Sequence, residues 1–303
     1  MNQGLITSHQ ILMIITGTVI GTFARTITLK EDYRQYPSYP NGYLIHLVIG
    51  FIAAALGAVA IPALVTKNFV AVTFLALAIQ QFREVRKMEA TSLANLEQTE
   101  FTKRGAAYID GISKTFEARN YVALLVSFST SLTMQFFNKL WLVLDMGIGI
   151  AVGLTVLYLL HRLSKGKTVG DIADVKEAKI TMKNDELYVD DIYVTNLVGL
   201  ERGQQLVSEE GLAVIIYPRE ERFRIMLDNF GQRQAILFDA ARSLGVKRYS
   251  FTRKDYQKGR LVIMIVPIEG EIERMIRTVK NTPLLEAIRK TPHVMDTNLA
   301  GRE

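Results

Sequence analysis

The sequence predicts a membrane α-helical bundle of about five spans followed by a soluble α+β domain. Three observations carry that prediction. Residues 1–165 hold 14 Lys+Arg and 9 Asp+Glu, whereas residues 166–303 hold 22 and 21, so charge is thin in the first half and dense in the second. Five apolar stretches, at about 8–28, 43–65, 68–82, 120–137 and 140–160, all fall in the first half. The second half alternates short strand-like runs with helical ones, as an α+β domain does. The expected domains are a transmembrane region at 1–164 that includes a cytoplasmic amphipathic segment at 83–119, a linker at 165–180, and a cytoplasmic α+β domain at 181–303.

A spanning helix needs about 20 mainly apolar residues, and the second and fifth stretches meet this. The first is rich in threonine (Thr16, Thr18, Thr22, Thr26), which suits a helix packed against others. No Lys or Arg precedes it and no small-residue cleavage site follows, so it reads as a retained anchor rather than a signal peptide. The third, NFVAVTFLALAIQQF, is short; a buried or re-entrant helix is the alternative, which would leave four spans. With five spans and the amino end outside, thirteen basic loop residues lie inside and two, Lys67 and Lys139, outside. That excess sets the orientation and places the carboxyl domain in the cytoplasm.

Small residues mark packing faces. Gly17 and Gly21 form one GxxxG pair, and Gly149 and Gly153 another; internal packing and homodimerisation both fit. Asp145 is the one acid well inside an apolar run, either an interfacial residue near Lys139 or a group with a role in conduction or coupling. His46 opens the second span as an interfacial hydrogen-bonding residue. In the loop EDYRQYPSYPNGY, Tyr33, Tyr36, Tyr39 and Tyr43 read as an aromatic belt or as a docking surface.

REVRKMEATSLANLEQ has no Gly or Pro and extends the third stretch as a helix. Gly105 interrupts it. Beyond, Tyr108, Ile112 and Phe116 share one helix face, and Asp110 and Lys114 pair at i, i+4 on another. This amphipathic helix leads into the fourth span, with its apolar face toward lipid or the bundle. Its candidate binding residues are Tyr108, Asp110, Gly111, Glu117, Arg119 and Asn120. Glu117 and Arg119 are favoured as the contacts that couple the soluble domain to the spans; an ordinary connector is the plainer reading.

YIDGISKTFEARNY resembles the motif that names the YIEGIA family of endospore-forming bacteria, with Asp110 in place of Glu and Ser113 in place of Ala. DYRQYPSYPNGYLIH, FIAAALGAVAIPAL and NFVAVTFLALAIQQFREVR look like the same family. The resemblance implies a role in sporulation, with assembly of the spore envelope associated with one member, and other sporulation membrane proteins as partners. It carries over no catalytic residue.

In the second half, ELYVDDIYVTNL suggests a hairpin and GLAVIIYP a buried strand. ERFRIMLDNFGQRQAILFDAARSLG is helical, with Gly231 as a possible division and Gly245 as its end. VKRYSFTRK and GRLVIMIVPI pair across DYQK, and EGEIERMIRTVKN is a further helix. The order strand, helix, strand, strand, helix suggests a ferredoxin-like sandwich. The absence of cysteine excludes disulfides and thiolate chemistry. The four histidines are scattered, and no phosphate-loop, dinucleotide, HExxH or GxSxG pattern occurs. No cofactor or metal and no catalysis is expected, and the +1 balance of this half argues against general nucleic-acid binding. Asp190-Asp191 reads as a solvated strand end, and Asp239, in an apolar helix, as a cap or salt-bridge residue.

Lys247, Arg248, Arg253, Lys254, Lys258 and Arg260 surround the hairpin, with Asp255 alone opposing them in local sequence. Anionic lipid headgroups are the favoured partner beside the lipid bilayer itself. RNA is an alternative, and a charged edge that blocks aggregation is the plainer reading. The function expected is a non-enzymatic membrane scaffold; an oligomeric transport or gating protein with a ligand-sensing domain is the alternative.

Overall fold

A computed structural model describes residues 7–32, 40–137, 142–164 and 166–286. Tyr33, Tyr36, Tyr39, Lys139 and His293 lie outside the described residues. The chain forms two compact units, Met1–Ser92 with Ile112–Lys165, and Leu93–Gly111 with Gly166–Glu303. The second unit thus takes in a segment from the middle of the expected membrane region.

The five apolar stretches lie in helices α1 (Ser8–Asp32), α2 (Pro40–Val65), α3 (Phe69–Leu96), α4 (Ala106–Phe136) and α5 (Leu142–Ser164). Among the described residues, three of these helices contain segments long and apolar enough to cross a membrane: Ser8–Leu29, Tyr43–Val65 and Leu142–Ser164. They mark the chain as a membrane protein. α3 falls short because its apolar part ends at Phe82, before Arg83, Glu84 and Arg86. α4 falls short because Ser127, Ser129, Thr130, Ser131 and Thr133 dilute its hydropathy. The amphipathic segment after Gly105 and the fourth apolar stretch form one uninterrupted helix of 31 residues.

Within the first unit, α4 is the helix around which the others pack. It contributes Met134, Val126 and Ala123 to three buried clusters shared with α1, α2, α3 and α5. Both glycine pairs face it. A β-carbon on Gly21 would lie 2.7 Å from the Ala123 carbonyl oxygen, and one on Gly149 2.7 Å from Met134 Cγ. Small residues let the backbones approach this closely. The Ser127 hydroxyl donates to the Ala54 carbonyl, and the Ser131 hydroxyl to that of Met13 at 3.4 Å. Polar groups therefore lie inside this unit, whereas Ile11, Ile15, Val19, Phe23 and Ile27 form an exposed stripe along α1 at four-residue spacing.

The second unit continues with α6 (Val169–Ile172), β1 (Ala173–Ala178), β2 (Ile180–Lys183), β3 (Glu186–Val189), β4 (Ile192–Thr195), α7 (Glu201–Glu210), β5 (Leu212–Pro218), α8 (Glu221–Asp228), α9 (Phe230–Leu244), β6 (Ser250–Lys254), β7 (Leu261–Ile265) and α10 (Ile272–Asn281). An antiparallel sheet has the order β1-β5-β7-β6, and a three-stranded meander the order β2-β3-β4. The stretch expected as a linker is therefore structured: β1 pairs with β5 from Ala173–Pro218 to Ala178–Ala213. Its alternation of charged and apolar residues over ADVKEA is too short to stand out as a strand. The helical run divides at Asn229 rather than Gly231, because the Asn229 side chain caps α9 by accepting from the Gln232 amide at 3.2 Å.

Successive strand residues face opposite ways. Ala213, Ile215, Val262 and Met264 pack against Leu187, Val189, Ile192 and Val194 of the meander. Their neighbours Val214, Ile216 and Ile263 are equally buried, on the face that α8, α9 and α10 cover. Beside α9, Gln232 clamps the stretch after α10, donating to the Pro283 carbonyl at 3.1 Å and accepting from the Leu285 amide at 3.0 Å.

Candidate functional site at the signature helix

The first turn of α4 is seated on α9 within the second unit. Its approach begins at Glu97, whose carboxylate accepts hydrogen bonds from the Arg104 amide and from the Gly105 amide at 3.1 and 3.3 Å. Gly105 has φ +85°, a conformation that L side chains rarely adopt. A β-carbon there would also collide with Gln234. Arg104 is 1% exposed, with its guanidinium 4.5 Å from the centre of the Phe238 ring and Glu100 at 3.5 Å.

Tyr108 then reaches into the seat. Its hydroxyl donates to the Asp239 carboxylate, 3.0 Å from Oδ1 and 3.2 Å from Oδ2. Its ring meets Phe238 edge-on at 6.2 Å. Burial pushes the Asp239 carboxyl up to about 6, against the opposing pull of hydrogen bonds from Tyr108 and Thr282 and the charges of Arg242 and Arg104. Gly231 lets the turn come close, since a β-carbon there would lie 2.9 Å from that of Ala107. At Gly111 the nearest such neighbour is Leu285 at 3.9 Å, so the seat has room for a methyl group.

The motif residues are thus divided. Tyr108, Asp110 and Gly111 belong to the second unit, and Glu117, Arg119 and Asn120 to the first. Glu117 pairs with Arg86 of α3 at 3.3 Å, Asn120 is buried, and Arg119 is half-buried. The apolar face expected for the amphipathic helix is real, with Tyr108, Ile112 and Phe116 all buried in protein.

The YIEGIA protein family matches residues 13–295. The chain belongs to that family. The seated tyrosine opens the stretch YIDGIS, which resembles the family's naming motif. A relative from Bacillus subtilis (strain 168), "Uncharacterized protein YphB", is 36% identical over 292 residues, which cover 94% of this chain and 96% of the relative. No solved structure matches the chain.

The basic hairpin is not the uncompensated patch that its local sequence suggests. Arg260 donates to Asp191 through two bonds of 2.9 and 2.7 Å and to Asp255 at 2.7 Å. These bonds hold the Asp191 carboxyl below its ordinary value. Lys254 pairs with Asp228, Lys247 with Glu210, and Lys258 lies 4.0 Å from Asp191. The compensating acids come from distant parts of the chain, which is why Asp255 alone was visible. Arg248 and Arg253 lie over the rings of Tyr249 and Tyr193.

Asp145 is 1% exposed, in the first turn of α5, and its carboxylate lies 3.8 Å from His9 Nε2. His46 is buried with its ring against Phe116 at 4.7 Å. Arg25 is fully buried, 5.2 Å from that same ring, and is not a loop residue. Among the described residues no group of three His, Asp or Glu could hold a metal ion. Sequence reasoning missed Arg104, Gln232 and Thr282 as parts of the seat. It noticed Asp239 as an acid among apolar residues, but its partner stands 131 positions away.

Proposed function

We propose that the protein is a non-enzymatic multi-pass membrane scaffold in sporulation, acting in assembly of the spore envelope. The observation that carries this reading is α4, which begins in the seat formed with α9 and continues as the packing centre of the helical unit. Such a helix couples a membrane unit to a second unit that displays surface for partners. Membership of the YIEGIA family supports the sporulation setting. In this reading α3 and α4 complete five spans, the amino end is outside, and the C-terminal unit is cytoplasmic. The basic loop residues still favour that orientation after Arg25 is set aside. The order β1-β5-β7-β6, with a helix between β5 and β6 and another after β7, supports a ferredoxin-like arrangement in which β1 enters as an edge strand from the amino side. The partners are the lipid bilayer, other sporulation membrane proteins and further copies of the chain. Arg248 and Arg253 are the cations that remain suited to anionic headgroups.

Deleting the gene in a spore former tests the proposal. Heat-resistant spores with normal envelopes at normal yield would overturn it.

A transport or gating protein is the second reading, favoured by the buried Asp145 beside His9. Proteoliposomes without flux, together with full function of Asp145→Asn in cells, would remove it.

A further inference from the structure

We infer that β1 is a dimerisation edge: the free side of Ala173–Ala178 pairs antiparallel with the same strand of a second copy, about a two-fold axis at Val175. This deepens the scaffold reading, which counts further copies of the chain among the partners, and supplies the surface through which they meet.

The order β1-β5-β7-β6 leaves β1 and β6 at the edges of the sheet. The inner bonds of β1 fix which groups point outward. Beside the strand, the Arg219 amide donates to the Ile172 carbonyl at 3.0 Å, and Pro218, which has no N–H, stands opposite Ala173. Asp174, Lys176 and Ala178 therefore exchange backbone bonds with β5, while Ala173, Val175 and Glu177 direct theirs to the other side. Among the described residues no strand pairs with β1 there.

A two-fold pairing sets outward-directed residues opposite one another, so its axis falls on a residue. On Asp174, Lys176 or Glu177 it would set like charges face to face, and on Ala173 it would bring α6 against the strand. On Val175 it sets Asp174 opposite Lys176 of the second copy, and Lys176 opposite its Asp174. Both side chains are exposed and share one face of the strand. Asp174 meets Arg219 through Oδ1, at 3.0 and 2.9 Å, which leaves Oδ2 for the lysine. The Val175 amides then donate to each other's carbonyls, and the Glu177 amides to the Ala173 carbonyls; the Ala173 amide is already bonded to the Val169 carbonyl. The other edge does not match itself. β6 lies beside β4 and carries Arg253 and Lys254, so a second copy would meet it with cations alone. So short a pairing is weak in solution, but anchoring in one bilayer raises the effective concentration of the copies.

The chain has no cysteine, which makes a cross-linking test clean. Differently tagged full-length forms, one with Asp174→Cys and the other with Lys176→Cys, are expressed together and their membranes isolated. In a mixed dimer the introduced thiols face each other at a Cα separation of about 4.5 Å, within disulfide range, and one Asp174–Lys176 pair is kept. Like copies bring no thiols opposite. Mild oxidation should therefore give the mixed disulfide about ten-fold faster than either form alone gives its own. No mixed disulfide, or equal rates, would overturn the inference. A second measurement needs no cysteine. Single-molecule photobleaching of the labelled parent in membranes should show dimers, and Lys176→Glu, which sets carboxylates opposite each other, should lower their fraction about ten-fold. A monomeric parent, or an unchanged fraction in Lys176→Glu, would also overturn it. No spore is assayed, so failure here removes the β1 edge and leaves the scaffold reading to its own test.

Discussion

An apolar stripe on α1 lies outside in one unit, whereas β5 and β7 of the other bury their isoleucines. Ile15 on α1 is 54% exposed, whereas Ile215 on β5 is fully buried. Polar groups differ as well. Ser127, Thr130 and Ser131 are buried at the centre of the helical unit, where they bond to helix backbone. In the second unit charged pairs such as Arg219–Asp174 lie on the surface. Each unit hides what its surroundings solvate poorly, so the contrast reports two solvents acting on one chain.

Substitutions can break that contrast. The largest effect is expected for Ile215→Ala, which removes a core side chain and should cost the second unit about 2–5 kcal/mol, read by denaturant unfolding. Ile15→Ala should leave thermal stability in detergent near that of the parent. A charge sharpens the test. Ile15→Lys should impair membrane insertion by about 2.5–3.5 kcal/mol if that face meets hydrocarbon, whereas Ile268→Lys, at a site 66% exposed, should be close to neutral. Equal tolerance of both lysines in a membrane-fractionation assay would remove the two-solvent explanation.

A smaller effect is expected at the seat. Tyr108→Phe keeps the ring against Phe238 and deletes only the hydroxyl, so it should destabilise the first turn of α4 by about 1.5–3 kcal/mol when Asp239 is ionised. The matching change farther along the motif is weaker. Glu117→Ala breaks a half-buried pair with Arg86, for which about 0–1 kcal/mol is expected. Glu117→Ala and Arg119→Ala should therefore leave protein abundance near normal. A sporulation defect in either would show that these residues also act outside the bundle's stability.

Much of this organisation was legible in the sequence, for reasons that differ between the units. The helices of the first unit show as long apolar runs, and β5 and β7 as LAVIIYP and LVIMI, because both faces of those strands are buried. β1 and α7 were missed because polar residues dominate them, and only pairing and packing reveal their order. Gly105 was recognised as a break before α4, and its positive φ gives the reason. The site was half legible. A tyrosine on an apolar helix face signalled burial but not direction, and Glu117 and Arg119 drew attention because charge is conspicuous near a membrane. The contact that matters joins Tyr108 to Asp239 across 131 positions, and the acids that neutralise Lys247, Lys254 and Arg260 are also remote along the chain. Local sequence carries no record of such pairings.

The central claim is that α4 couples the two units in spore formation. Its most direct test is the yield of heat-resistant spores from cells whose only copy carries Tyr108→Phe, with membrane abundance of the protein measured in the same cultures. The account predicts parental abundance and a yield clearly below that of the parent. Parental abundance with an unchanged yield of normal spores would contradict it.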